Sequence, residues 1–337
     1  MQNFRKLTVL FCCIVFYCLI ALGSGETSSS TAQKVGEISD DKSDSSNISQ
    51  TDSTASSSSK KDKGVEKEES VKEEYHVGET LSYKGLDITY VESGYYTSTN
   101  QFITPKDGNQ FIRLLFHVDN NSGSDKNVST FEFYCYADGY ECDHTYNDDD
   151  LSADLSNGRS ADGAVYFEVP IDAKDIEIEY EYDWLNNSKV KFVFEGDKSS
   201  GLTFETNSAQ SEEAFHVGDI IETNDVRISY VKCSEYISDN MFIEPKEGNR
   251  FIYIELELEN ISNTDQTASV FSFNCYADGK SCEAFYGLDD ELSATMSPGR
   301  KAKGKIGFEV PKDAQTIEVE YEDNVWTQNK LIFLYED

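Results

Sequence analysis

The chain has 337 residues, enough for two or three domains of roughly 100–200 residues each. Its 29 Lys+Arg stand against 63 Asp+Glu, a formal net charge of −34. This excludes nucleic acid as a partner, because phosphate binding needs a basic stripe, and it sets the surface against anionic lipid.

Residues 1–25 read as an export signal. Arg5 and Lys6 give a positive start, Leu7 to Leu22 is an uncharged apolar run, and Ala21, Gly23, Ser24 and Gly25 suit a cleavage site. The alternative is an uncleaved anchor, for which the run is slightly short of the ~20 residues of a spanning helix. Lipid attachment at Cys18 is disfavoured by the bulky Val15, Phe16 and Tyr17 before it. Membrane contact is expected only through such an N-terminal anchor. Residues 26–74 are Ser-rich, mixed in charge and without aromatics until Tyr75. Such a segment buries too little apolar surface to offset its ordering entropy, so it reads as a disordered tether.

The remainder is a tandem repeat. His76-Val77-Gly78 returns as His216-Val217-Gly218, and Pro105-Lys106 with Gly108-Asn109 and Phe111-Ile112 as Pro245-Lys246 with Gly248-Asn249 and Phe251-Ile252. Asn120 matches Asn260. After a one-residue insertion in the second copy, Gly158-Arg159 matches Gly299-Arg300, and Phe167-Glu168-Val169-Pro170 matches Phe308-Glu309-Val310-Pro311. The copies span 75–196 and 215–337, and the polar stretch 197–214 reads as a flexible joint.

Each copy reads as all-β. Leu86, Ile88 and Tyr90 alternate with Asp87 and Thr89, as do Val226, Ile228 and Tyr230 with Arg227 and Ser229, the period of a half-buried strand. Further strands are expected over Phe251–Leu258, over Ala164–Val169 with its mate Lys305–Val310, and over Ile176–Tyr182 with Ile317–Tyr321. Pro170 and Pro311 close strands because Pro cannot donate to the ladder. Seven or eight such strands per copy, separated by Gly, Asn and Asp turns, predict an antiparallel β-sandwich.

Four cysteines form repeated pairs, Cys135 with Cys142 and Cys275 with Cys282. Each pair is symmetric about an Asp-Gly, a favoured two-residue hairpin turn, which sets the two cysteines opposite each other within disulfide reach. Export permits the bond, so two structural disulfides are expected; six intervening residues do not fit zinc or redox spacing. Cys233, with Ser93 in its place in the first copy, reads as a buried filler or an exposed thiol. His76 and His216 are equivalent and read as structural. No Gly-x-Ser-x-Gly elbow, phosphate loop or dinucleotide fingerprint is present, so no catalytic residue is assigned and enzymatic activity is not expected.

Two acidic clusters, Asp148-Asp149-Asp150 and Asp289-Asp290-Glu291, are calcium candidates, although neither follows the twelve-residue loop pattern and each suits a solvated loop. No other cofactor is expected. Tyr136, Tyr140 and Tyr276, with Tyr95, Tyr96 and Tyr134, either build a flat aromatic patch for a protein or glycan or pack across their hairpins.

The set of a Val77-Gly78 start, a Gly108-Asn109-x-Phe111-Ile112 strand running into Asn120, Phe131-x-Phe133 before Asp138-Gly139, a Gly158-Arg159 turn and Phe167-Glu168-Val169-Pro170 resembles a family of secreted bacterial immunoglobulin-like domains of unknown function. That family is related in fold to the mycobacterial immunoprotective extracellular antigen. The resemblance covers both repeats and implies two tandem immunoglobulin-like sandwiches in a secreted or surface-tethered bacterial protein. It brings no catalytic residues, and the paired cysteines are an addition to it. The expected function is a non-enzymatic binding module of the cell envelope, with a protein or glycan partner. The alternatives are passive spacer domains and a calcium-dependent adhesive module.

Overall fold

Period-two alternation over long stretches forces strands, and the Gly and Asn turns between them force antiparallel pairing. The computed structural model describes residues 71–98, 100, 102–147, 149–183, 185–204, 214–324 and 329–336, together with the backbone of 33–37. The export signal 1–25 and most of the tether lie outside the described residues. Within the stretch read as tether, Gln33–Glu37 forms a strand antiparallel to Asp219–Glu222 of the second repeat.

Each repeat is a sandwich of two sheets. In the first, Thr80–Tyr83, Leu86–Tyr96, Asn109–Asn120, Ser160–Pro170 and Asp143–Thr145 pair in that order. The facing sheet runs Glu74–Tyr75, Ser188–Val193, Ile176–Asp183, Phe133–Ala137 and Tyr140–Glu141. The second repeat reproduces this plan, including the bulge after Tyr90 that recurs after Tyr230. Both predicted proline stops hold, with strands ending at Pro170 and Pro311. Phe131 and Phe271, which continued alternation with Phe133 and Phe273 would place in the strand, sit in single 3₁₀ turns capped by Ser129 and Ser269, which accept from the Phe131 and Phe271 N–H. That turn rotates both rings out to solvent.

The inward residues of the two sheets meet in one apolar core per repeat, with Phe116, Phe133 and Phe192 in mutual ring contact in the first. Fully burying a side chain of this size contributes about 1.5–3 kcal/mol. The repeated Asn is a core device. Asn120 is fully buried; its amide donates to the Ser124 and Leu155 carbonyls and its oxygen accepts from Ser122, and Asn260 does the same with Thr264, Met296 and Ser262. Gly163 and Gly304 are required for close approach: a Cβ there would lie 2.6 Å from the Leu151 or Leu292 Cα.

The joint is partly structured. Lys198–Ser199 pairs with Glu92 and Ser93, and Phe204 stacks on His117 at 3.7 Å between ring centroids. Residues 205–213 lie outside the described residues. Among the described residues no helix is long and apolar enough to cross a membrane.

Candidate functional site

The cysteine hairpins adopt the predicted turn. Asp138 and Gly139 have φ of 48° and 82°, Asp278 and Gly279 of 49° and 82°, the left-handed pair that a two-residue turn needs. Cys275 is in direct register with Cys282, and the Cys142 N–H donates to the Cys135 carbonyl at 2.8 Å. All four are thiols in the structure, and the Cys142 and Cys282 thiols donate to the Tyr140 and Lys280 carbonyls at 3.6 Å. Burial pushes the Cys135 and Cys275 thiols well above their ordinary range, so neither is poised as a nucleophile. Cys233 is half-buried, and its thiol donates to the Glu336 carbonyl at 3.1 Å.

The acidic clusters do not converge. Asp148 lies outside the described residues. Asp149 accepts from the Tyr166 hydroxyl at 2.6 Å and Arg113 at 2.8 Å; burial raises its pKa, but these two contacts outweigh it and hold the carboxyl below its ordinary value. Asp150 and Glu291 accept backbone N–H groups of their own loops, from Asn147 and Leu288, and Asp290 sits at φ 65° in the turn beside Asp289. Among the described residues no group of three or more His, Cys, Asp and Glu side chains is placed to hold a metal ion. Asp150 and Glu291 serve to close their loops, and Asp149 serves to hold Tyr166 and Arg113.

What the structure does bring together is the junction between the repeats. The turn at Ser156–Ser160 of the first repeat seats on the sheet face of the second that carries Tyr276, Glu318 and Glu320. Arg159 is 2% exposed; its Nη2 donates to Glu320 at 2.8 Å, its Nη1 to Glu318, and its guanidinium lies 4.6 Å from the Tyr276 ring centroid. The Tyr276 hydroxyl donates to the Asp154 carbonyl at 2.9 Å and accepts from the Ser156 N–H at 3.1 Å. Lys330 pairs with Asp125 at 2.8 Å and reaches Ser156 and Glu320. The Ser160 N–H donates to the Gly279 carbonyl at 3.2 Å, and Lys280 pairs with Asp162 at 2.6 Å.

Tyr276, expected as an exposed binding aromatic or a hairpin packer, is therefore neither. It is fully buried and packs into the core of the first repeat. Its equivalent Tyr136 is half-buried at the matching face of the first repeat, and Tyr140 is exposed as read.

His117 adjoins this junction, with Nδ1 2.6 Å from Asp162 and Nε2 3.2 Å from Asp119. Burial pulls its pKa down, but the two carboxylates outweigh burial and hold it above its ordinary value; Asp162 is lowered in turn by His117 and Lys280, which overcome its own burial. A raised folded pKa gives stability that is complete below pH 6.5 and lost as pH rises through the folded value. The stabilisation by denaturant titration of wild type relative to His117→Gln is thus expected to fall as the pH is raised above 6.5. A difference that is constant with pH overturns this.

A cleft of 520 Å³ opens beside the junction. Asp149, Asp150, Asp154 and Asp162 line it from the first repeat and Glu283 from the second; among the described residues no Lys or Arg lines the wall, although Arg113, Lys280 and Lys246 pair with Asp149, Asp162 and Glu283 from outside it. Phe271 and Tyr286 also line it, 81% and 57% exposed, with ring centroids 5.6 Å apart. The equivalent Phe131 and Tyr146 are likewise exposed and paired at 6.2 Å. These aromatics were not singled out in the sequence. Phe131 and Phe271 stand two residues before Phe133 and Phe273, in phase with an alternation that buries those rings, so the pattern alone gave no sign of their exposure.

Residues 75–190 and 215–331 each match the domain of unknown function DUF4352. A comparison with curated proteins gives no match. Among solved structures the chain is similar to YcdA of Bacillus subtilis, at 11% identity over 34% of this chain and 37% of that one, with a TM-score of 0.30. The chain thus spans little more than a third of YcdA. It is also similar to the YjhA protein of Bacillus subtilis (14% identity, 36% and 98% covered, TM-score 0.30) and to the secreted protein MPT63 of Mycobacterium tuberculosis (15% identity, 38% and 100% covered, TM-score 0.26).

Proposed function

The chain belongs to the DUF4352 family in two tandem copies, and on that premise we propose that it is an exported, non-catalytic binding module whose acidic, aromatic-edged cleft takes a basic segment of a protein partner. The observation that carries this reading is the exposure of Phe271 and Tyr286 at the mouth of a cleft walled by five carboxylates. Large exposed aromatics recur at matching positions of both repeats, including Phe102 and Phe242, where a solvated loop has no need of them. Aromatic rings beside carboxylates suit Lys and Arg side chains, which bring both a charge and an apolar stem. A non-catalytic role is supported by how the reactive groups are used: the buried thiols are pushed up, and His117 and His144 are held by Asp162 and by the Phe133 carbonyl.

The test is a fluorescence titration with a Lys- and Tyr-rich peptide, an acidic peptide of equal length and a cell-wall oligosaccharide. The basic peptide is expected to bind, to weaken with salt, and to weaken at least tenfold on the double variant Phe271→Ser, Tyr286→Ser. Binding of the oligosaccharide alone overturns the choice of partner, and binding of none of the three leaves the passive-spacer reading, which the buried contacts of the junction favour.

A further inference from the structure

The junction between the repeats is built from elements that each repeat possesses, yet one chain uses each element only once. The first repeat contributes its Gly-Arg turn and the second its Tyr-Glu-Glu-Lys sheet face. The matching turn of the second repeat, Ser297 to Lys301, is exposed throughout, Arg300 included, where Ser156, Arg159 and Ser160 are buried. The matching sheet face of the first repeat carries Tyr136, Glu177, Glu179 and Lys189, and the Glu177 and Glu179 side chains are 37% and 27% exposed where Glu318 and Glu320 are buried. The registers are equivalent: Tyr136 opposes Glu177 as Tyr276 opposes Glu318.

We propose that a second copy of this chain docks here head to tail, its Ser297–Lys301 turn seating on the Tyr136–Glu177–Glu179 face and repeating the internal junction between molecules. Arg300 takes the place of Arg159 against Glu177 and Glu179, Tyr136 that of Tyr276 beneath the turn, and Lys189 that of Lys330 against Asp265, the mate of Asp125. The Lys301 N–H and the Gly139 carbonyl supply the backbone contact made internally by Ser160 and Gly279. The surface is heterologous, so after one docking each end still presents a free partner face, and growth is open rather than closed at a dimer.

Two substitutions set its strength below that of the internal junction. Tyr140 stands where Lys280 pairs with Asp162, and Lys303 stands where Asp162 does, so a ring against an ammonium replaces an ion pair. Glu177 is also already engaged by Lys191, whose place in the second repeat is taken by the apolar Ile332. The internal copy gains further from the covalent link, which raises its effective concentration. Association between chains is therefore expected to depend on concentration.

Sedimentation velocity of the whole secreted chain, followed up to millimolar concentration, tests this with charge exchange. Wild type is expected to grow in mass with concentration. Arg300→Glu alone and Glu177→Arg with Glu179→Arg alone are each expected to remain monomeric; Arg300→Glu keeps the wild-type melting temperature because the position is exposed, and the double variant, which gives up ion pairs to Lys191 and Lys189, still melts in one cooperative transition that shows it folded. An equimolar mixture of the two variants restores both types of contact and is expected to associate again. Wild type that stays monomeric throughout, Arg300→Glu that associates as well as wild type, or a mixture that fails to recover overturns the proposal.

Discussion

Arg159→Met is expected to lower stability by about 3–5 kcal/mol and to separate the unfolding of the two repeats, whereas Arg300→Met in the same motif changes it by less than about 0.5 kcal/mol. The difference arises from surroundings alone. Arg159 neutralises Glu318 and Glu320, both of which are 5% exposed or less, and removing it leaves two carboxylates in a site where, among the described residues, only Lys330 remains as a cation. An unpaired buried charge costs far more than the pair contributed, because desolvation is no longer offset. Arg300 is exposed, and water replaces whatever it touches. Differential scanning calorimetry reads both effects: one transition in wild type and in Arg300→Met, two in Arg159→Met. Replacing the whole cluster, Arg159→Met with Glu318→Leu and Glu320→Leu, is expected to recover much of the loss, since it removes the stranded charges along with their partner. Equal melting of the Arg159 and Arg300 variants would falsify this account of the junction.

Oxidising the hairpins is the second large effect. Opposed antiparallel residues that exchange hydrogen bonds sit about 5.5 Å apart at Cα, at the centre of the disulfide range, and Cys135–Cys142 and Cys275–Cys282 are so placed. Closing an eight-residue loop removes about 2.5 kcal/mol of unfolded-state entropy on the chain-entropy model, so two bonds are expected to add about 5 kcal/mol if neither strains its turn. Protein recovered from an oxidising medium is expected to show one titratable thiol among these five cysteines, Cys233, and to lose stability on reduction. The double variant Cys135→Ser, Cys142→Ser is expected to lose half of that response. Five titratable thiols in protein recovered from that medium would show that the pairs stay reduced.

Much of the fold could be read without the structure because it rests on local rules. Asp-Gly twice between cysteines can hardly be other than a tight hairpin, since both residues adopt positive φ. Leu86 to Tyr90 and Ile176 to Tyr182 alternate too regularly for anything but strands, and Pro170 and Pro311 mark strand ends for want of an N–H. The duplication then carries each such inference to a second site. Gln33–Glu37 was not legible, because a Ser-rich polar stretch gains its strand only by pairing with an edge supplied from far along the chain. Phe204 likewise looks like part of a polar joint until His117 is found beneath it.

The candidate site divides along the same line. Two homologous sandwiches, their hairpins, their acidic surface and the placing of their cysteines opposite one another were legible in the residues alone, because all of these depend on residues within a few positions or one repeat of each other. The sequence was silent on which copy of each motif would be buried. Tyr136 and Tyr276, or Arg159 and Arg300, stand in equivalent motifs with equivalent neighbours in sequence; one of each pair lies at the junction and the other away from it. Only the tertiary structure decided that, because burial at a junction is a property of two surfaces meeting, and a repeat has no local feature that records which side its neighbour is on.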